Sequence, residues 1–483
     1  MASSPSKIVF GTDGWRGIID VDVTNKSIAL IAQAFADHLL ASVHKIISPS
    51  VVIGFDGRRN SQQFASLFAR VLAGNRIKVV LSDRIVPTPV LSWSVKAGGY
   101  NAGVMITASH NPSKYSGVKF KGDYGGPFLT EDTKKVEARI EYNLVQTTDN
   151  FSERNLLSDY ITAITEKIDF KSARKKGLKV IVDSMGGAGG RLIEDILTKQ
   201  KIETVTIQGE PDSDFYGRSP EPIDKNLGPL KEEMVKGDFA FGIATDGDSD
   251  RVAFVLDNGE WLSAQETILL LTDHLVNSGL YDGDIVKTVS VTDKLYKLKL
   301  GDRKIREVQV GFKYITEEML AGGVAMGFEE SGGFGLTGHI PERDGILFAM
   351  IMLEMLGESP FTRLSELVSE KRNEFGTINY DRIDHHYEED DRMELLPRLF
   401  AEIPSDVAGF RITGSSEFYS ATGIINGLKL RLEGDSRWLL IRSSETEPLL
   451  RFYAEGDNET EPAAILEAGM KLLTEKRKKD NGY

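Results

Sequence analysis

The sequence predicts a multidomain α/β protein: three α/β units with mixed, mostly parallel sheets, then a smaller C-terminal α+β cap. Three observations lead to this. Short apolar, β-rich runs alternate with longer helical patterns through most of the chain, as βαβ units require. The chain has 483 residues, more than the roughly 250–300 that one hydrophobic core normally serves. Its C-terminal part breaks the alternation, with strand-like runs joined by short loops and then a helix.

In chain order, Val51–Phe55, Ile77–Ser82 and Ala102–Thr107 read as buried strands, separated by helices over Ser61–Gly74 and Pro89–Gly98. The pattern resumes with a strand at Lys179–Asp183, a helix from Gly190 to Lys199, and strands at Glu203–Ile207 and Phe239–Thr245. A third cycle places a helix over Ala264–Asn277, a strand at Asp284–Val289, a helix over Lys313–Leu320 and a strand at Val324–Phe328. Gly427–Glu433, Trp438–Arg442 and Leu450–Glu455 then read as adjacent strands, followed by a helix over Glu461–Lys476. Charged helical stretches at Leu156–Lys167 and Leu364–Glu374 mark candidate boundaries. The expected domains are 1–155, 156–262, 263–378 and 379–483. The three α/β units share a layout rather than a sequence, the pattern of weak internal repeats.

Composition narrows the function. Apolar residues at 41% and charged residues at 27% are ordinary for a globular protein. A formal charge of −14 argues against a broad nucleic-acid face, so an anionic ligand must find a local positive site. The absence of cysteine excludes disulfides, cysteine-ligated zinc and a thiol nucleophile, and suits a reducing compartment. Met1–Lys7 has no apolar signal core, and no run approaches the roughly 18 apolar residues a membrane span needs. A cytoplasmic enzyme without nucleic-acid or membrane partners is expected.

Three loops follow predicted strands, where open α/β sheets bind ligands. The first, Thr107-Ala-Ser-His-Asn-Pro112, presents Ser109 beside His110. On composition alone it reads equally as a turn, and a serine hydroxyl needs a base or metal to become nucleophilic. The second, Asp246-Gly-Asp-Ser-Asp-Arg251, ends a strand in three carboxylates at alternate positions. Hard divalent cations take such oxygen ligands, and the carboxylates would repel one another without one. An EF-hand fails because its twelfth loop position is Asp257 rather than glutamate, and a strand precedes the loop. Arg251 offers a phosphate a fixed fork. The third, Phe328-Glu-Glu-Ser-Gly-Gly333, could bond sugar hydroxyls but reads alone as a polar turn.

A fourth segment, Arg442-Ser-Ser-Glu-Thr-Glu-Pro448, sets Arg442, Ser444, Glu445 and Thr446 between two strands, with Arg451 on the next. Arginine with small hydroxyls makes a phosphate site, against the alternative of a hairpin turn. Lys287, at a strand end, is a candidate for a sugar phosphate or a solvated lysine. His385 and His386 precede an acidic run and read as a solvated linker. Gly186, Gly187, Gly189 and Gly190 lack dinucleotide spacing and read as tight helix–strand packing.

These four segments, in this order and one per domain, resemble the α-D-phosphohexomutase superfamily over essentially the whole chain. The resemblance implies four domains in a heart shape around a cleft, with a mobile cap. It implies a phosphoserine at Ser109, with one Mg²⁺ held by Asp246, Asp248, Asp250 and an oxygen of that phosphoserine. It extends through Ser116–Gly122, making Lys119 a candidate acid/base group or phosphate contact beside His110. Gly11-Thr-Asp-Gly-Trp-Arg-Gly17 resembles the opening segment, whose arginine is Arg16 here, with a surface turn as the alternative. Glu329 and Ser331 would hold ring hydroxyls, and the cap loop would grip the non-reacting phosphate. His339–Gly345 resembles a segment that often has lysine where Arg343 sits. Arginine does not cycle protons easily, which argues against proton shuttling at Arg343 and leaves a charge-stabilising role open.

The Glu-Glu-Ser form and Val310-Gly-Phe-Lys313 look closest to phosphoglucomutases, whereas Gly333 stands where bacterial phosphomannomutase-type loops have histidine. The implied reaction interconverts glucose 1-phosphate and glucose 6-phosphate, with glucose 1,6-bisphosphate as intermediate and activator, in a monomer or dimer. The alternatives are a phosphomannomutase or dual-specificity enzyme, a hexose-bisphosphate synthase, a silent binding paralogue and a phosphatase. A glucosamine mutase is disfavoured, because that subfamily usually has serine in place of Thr107 and a Gln-Ser-Gly-His sugar loop.

Overall fold

The computed structural model describes residues 8–11, 13–42, 48–387, 392–419, 423–443 and 449–480. They form three mixed sheets and one antiparallel sheet. The first three sheets share a layout. In each, a central strand (Ser50–Phe55, Lys179–Asp183 or Asp284–Thr288) has a parallel neighbour on both sides. One neighbour (Ala102–Ile106, Phe241–Thr245 or Val324–Glu329) then turns back into an antiparallel partner. Those partners are Tyr115–Gly122, Val252–Leu256 and Gly333–Leu336. The turns at 107–114, 246–251 and 330–332 are the first three motif loops. The repeat lies in strand order, so a shared topology puts three unlike sequences at equivalent sheet edges.

One apolar core runs through all three units. It joins Val52 and Met105 of the first sheet, Val180 and Phe254 of the second, and Ile285 and Phe328 of the third. Helix Gly345–Glu358 lies in it, apolar on nearly every side as a fully buried helix must be. Asp344 caps this helix by accepting from Leu347 N at 2.9 Å. The helix begins against the aspartate loop, where Gly345 N donates to Ser249 O at 3.2 Å. A side chain at Gly345 would collide with Arg251 O.

The fourth sheet runs antiparallel from Asn379–His386 to Asp406–Val407. Strand alternation gives it two unlike faces. Leu428, Leu430, Leu439, Ile441, Phe452 and Ala454 form a separate core with Leu396 and Leu466 of helices Arg392–Ala401 and Glu461–Asp480. The other face carries Arg382, Asp384, Lys429, Arg431, Arg442 and Arg451.

Several expectations differ from the structure. His385 and His386 are exposed but lie on strand Asn379–His386, paired with Leu450 and Leu449, not in a linker. The opening segment is not a turn throughout: Trp15–Ile18 forms an edge strand against Ser116–Val118 and Tyr115. The glycine run packs against the aspartate loop rather than between helix and strand. Ala188 N donates to Gly247 O at 2.9 Å, and a Cβ at Gly187 would meet Asp246 O and Gly247 O. Among the described residues, no helix is long and apolar enough to cross a membrane.

Candidate active site

Strand Ala102–Ile106 is wholly buried and delivers Ser109 to the centre of the molecule. Ser109 is itself fully buried with φ 51°, a left-handed conformation unfavourable to a residue with a Cβ. Its N–H donates to Thr107 Oγ1 at 2.9 Å, and its Oγ donates to Asp246 Oδ2 at 2.9 Å. Two unconnected motifs, 137 residues apart, thus meet through the expected nucleophile.

The aspartate loop curls through Ser249, whose φ is 59°. Asp246, Asp248 and Asp250 are fully buried, and one oxygen of each lies within 4.8 Å of the others. Asp246 Oδ1 accepts from Arg251 N at 3.2 Å. Asp248 Oδ2 accepts from Thr88 Oγ1 at 2.6 Å and Lys119 Nζ at 2.8 Å. Asp250 Oδ2 accepts from Lys119 Nζ at 2.9 Å and pairs with Arg343 at 2.7 Å. Oδ1 of both Asp248 and Asp250 is buried without a hydrogen-bond partner, with Arg251 Nε 4.0 Å from that of Asp250. Burial, then the charges of Asp250 and Asp248, pushes the Asp246 carboxyl well above the usual range. Buried, crowded carboxylates with unpartnered oxygens fit a divalent cation, which would satisfy the oxygens and relieve the repulsion.

Cations ring this centre. Burial opposes the charge on Lys119, yet Asp13, Asp248 and Asp250 overcome it and hold the ammonium well above its ordinary range. Asp13 is the organiser that sequence reasoning missed. Its Oδ2 lies 3.0 Å from Lys119 Nζ, 2.6 Å from Arg343 and 3.5 Å from Arg16. Arg16 in turn donates to Asn111 Oδ1 of the serine loop at 2.6 Å. His110 is held well below its ordinary pKa by burial and then by Arg251 and Arg16. Thr88 was missed as well, since its partner Asp248 is 160 residues away.

The third loop closes the site. Arg251 bridges to Gly333, and Val252 N donates to Gly332 O at 3.1 Å. Ser331 Oγ donates to Glu329 Oε2 at 3.0 Å, and the same oxygen lies 3.6 Å from Arg343. Burial raises the Glu329 carboxyl, with Arg343 opposing. A Cβ on Gly333 would collide with Arg343 Cδ, so the glycine and the arginine are one packing solution. Three consecutive residues tie the units together here. Glu342 pairs with buried Lys121, Arg343 reaches Asp13 and Asp250, and Asp344 accepts from Tyr160 at 2.8 and 2.9 Å.

In the cap, Arg442 and Arg451 lie directly opposite one another across two strands, and Arg451 opposes Asp384. Arg382, absent from the sequence reading, donates to Asp384 at 2.8 and 2.7 Å. Ser444, Glu445 and Thr446 lie outside the described residues. Lys287 is fully buried, donates to Val291 O at 2.9 Å, and pairs with Asp293 at 2.7 Å and Glu307 at 3.0 Å. Its ammonium faces internal carboxylates where the cap meets the body, so it is not the solvated lysine of the alternative reading.

Residues 7–146, 158–259 and 263–375 match the three alpha/beta/alpha domains of phosphoglucomutase/phosphomannomutase, and residues 389–471 match its C-terminal domain. The chain belongs to this family. The enzyme is therefore an α-D-phosphohexomutase, an intramolecular phosphotransferase. It is 28% identical over 480 residues to a phosphoglucomutase/phosphomannomutase of Thermococcus kodakarensis, covering 97% of this chain and 98% of that one. It is 28% identical over 479 residues to a phosphoglucosamine mutase of Caldicellulosiruptor bescii, covering 96% and 98%. A Thermus thermophilus protein solved under the name of a phosphomannomutase superposes with a TM-score of 0.84 at 33% identity, covering 98% and 100%.

Proposed function

We propose that the enzyme interconverts glucose 1-phosphate and glucose 6-phosphate through phosphorylated Ser109 and glucose 1,6-bisphosphate. One observation carries the reading: the buried Ser109 Oγ, 2.9 Å from Asp246, beside the unpartnered oxygens of Asp248 and Asp250. Phosphorylated Ser109 gives its phosphoryl group to the free hydroxyl of a bound hexose phosphate. The P–Oγ bond breaks, a P–O bond to the sugar forms, and neutral His110 takes the hydroxyl proton, while Lys119, already charged, adds positive charge beside the transferring group. The bisphosphate turns end for end and returns its other phosphoryl group to Ser109.

Asp246, Asp248, Asp250 and a phosphoserine oxygen would hold Mg²⁺, which neutralises charge on the transferring group. Arg16, Arg251 and Arg343 add fixed positive charge. Glu329 and Ser331 orient sugar hydroxyls. Arg442 and Arg451, with Ser444, Glu445 and Thr446, grip the distal phosphate, and cap closure excludes water. The absence of cysteine supports a cytoplasmic setting.

Glucose rests on Glu329-Glu330-Ser331 and Gly311-Phe312-Lys313. The phosphoglucosamine mutase relative favours a second reading, an amino-hexose phosphate. A coupled assay with glucose, mannose and glucosamine 1-phosphates, with and without catalytic glucose 1,6-bisphosphate, decides. Glucose 1-phosphate should give the highest kcat/KM, with a lag that the bisphosphate removes. Equal rates on mannose 1-phosphate, or a higher rate on glucosamine 1-phosphate, would overturn the glucose assignment. Net phosphate release would indicate a phosphatase.

A further inference from the structure

Ser109 occupies a backbone conformation it would not choose. Its φ of 51° is uncommon for a residue with a side chain, and such a conformation persists only where the surroundings impose it. The surroundings that impose it are not ligands of the proposed reaction. Arg58 follows strand Ser50–Phe55, next to the strand that carries Ser109. Its side chain is fully buried, and each of its donor nitrogens is engaged. One terminal nitrogen donates to Ser109 O and Asn111 O, both at 2.6 Å. The other donates to Pro112 O at 2.9 Å and Tyr115 O at 3.0 Å. Nε donates to Asp56 Oδ2 at 3.1 Å.

The anchor is itself anchored. Asp56 accepts from Ser61 Oγ at 2.7 Å and from Arg58 N at 3.0 Å. Thr107 Oγ1 accepts from Ser109 N. The ring of Phe215, from the second unit, lies under the guanidinium at 4.7 Å. Gly247 of the aspartate loop closes on Ser109 O so tightly that a Cβ there would collide with it. Ser109 is therefore held at its N–H by Thr107 and at its C=O by Arg58. The free rotor is Oγ, which faces Asp246.

We infer that Arg58, acting with Thr107, is a positioning residue that imposes the left-handed turn aiming Ser109 Oγ at the aspartate centre. This rests on the reading of Ser109 as the phosphoryl carrier. Arg58 has no free donor for a phosphate, so its role is geometric. A lysine at this position keeps the charge but cannot reach four carbonyl oxygens. A misplacement of about 1 Å can cost about 100-fold in rate without weakening substrate binding.

The test is the kcat and KM of R58K and T107V, with the ³¹P resonance of the phosphoserine and a thermal melt of each protein. R58K should lose about 100-fold in kcat with KM unchanged and a shifted ³¹P resonance. T107V, nearly isosteric, should lose about tenfold in kcat in the same pattern. R58K with wild-type kcat, or with KM raised as far as kcat falls, overturns the inference. Should R58K fail to fold, T107V decides: wild-type kcat there overturns it. Wild-type enzyme that takes no phosphate on Ser109 from glucose 1,6-bisphosphate removes the underlying reading. Wild-type enzyme that does, beside variants at full kcat, removes this inference alone.

Discussion

The three α/β units meet in one apolar core around helix Gly345–Glu358, with a further core on the other face of the first sheet, whereas the cap meets the body through a mostly polar joint and has only its own core. In that joint Lys287 and Lys429, both fully buried, share Asp293 and Glu307. Arg431 also reaches Glu307, at 3.1 Å. Thr292 and Trp438 both donate to Glu455, and a small cluster of Val289, Trp438, Leu440 and Tyr453 supplies an apolar part of the joint. Such buried charges fix geometry more than they add net stability. The contrast teaches where rigidity is spent. The serine and aspartates come from units that cannot separate without exposing a common core. The distal arginines ride on a unit whose attachment is specific in register but low in apolar area.

The largest test of that division is Ser109→Ala. Its melt should match the wild type, while mutase activity falls by about 10⁴-fold or more. Next is metal removal: chelation should cost about 10³-fold or more, restored by Mg²⁺, and should lower the melting temperature of the body. A cap melting event shifted equally would blur the distinction between the two regions. Arg442→Ala should act on binding, raising KM about 10- to 100-fold with a smaller change in kcat. An equal loss in kcat would place the cap in the chemical step.

The joint offers the smallest and sharpest effects. Lys287→Met leaves Asp293 and Glu307 under-compensated and should cost about 3–5 kcal/mol, read by thermal or denaturant unfolding. Lys429→Met should cost less, because burial and the charge of Lys287 already disfavour the Lys429 ammonium, whereas the carboxylates hold Lys287 charged. Burial, then the charge of Lys287, holds Lys429 down to about 8. A lysine depressed in the folded state opposes folding while charged, and stability returns as pH rises from about 8 towards its unfolded value near 10.4. The stability of wild type relative to Lys429→Met should therefore improve across that window, measured by paired melts.

Regular elements were legible where periodicity was clean. Lys179–Asp183, Glu203–Ile207 and Ala264–Asn277 fall where the pattern put them. Helix Gly345–Glu358 was not seen, because apolar residues on every side leave no period to read. Strand Tyr115–Gly122 was hidden by Lys119 and Lys121, which look solvated until carboxylates from distant segments neutralise them. The same reason hid Asp13, Arg58 and Thr88. Each acts through partners far along the chain, and only the fold brings them together. Lys287 shows the opposite case. A strand-end lysine looks available until the following turn and neighbouring strand bring Asp293 and Glu307 against it.

Gly333 and Arg343 show what sequence positions cannot say alone. Each departs from the related pattern, and their contact makes them a coupled pair. Restoring a side chain at Gly333 without shortening Arg343 should therefore lower activity more than the double exchange.

The central claim is that Ser109 carries the transferred phosphoryl group. Mass spectrometry of wild-type enzyme incubated with Mg²⁺ and glucose 1,6-bisphosphate tests it most directly. The account predicts one phosphate, mapped to Ser109, absent in Ser109→Ala and discharged by excess glucose 6-phosphate. A phosphate mapped to any other residue, or an active enzyme that never carries one, would contradict it.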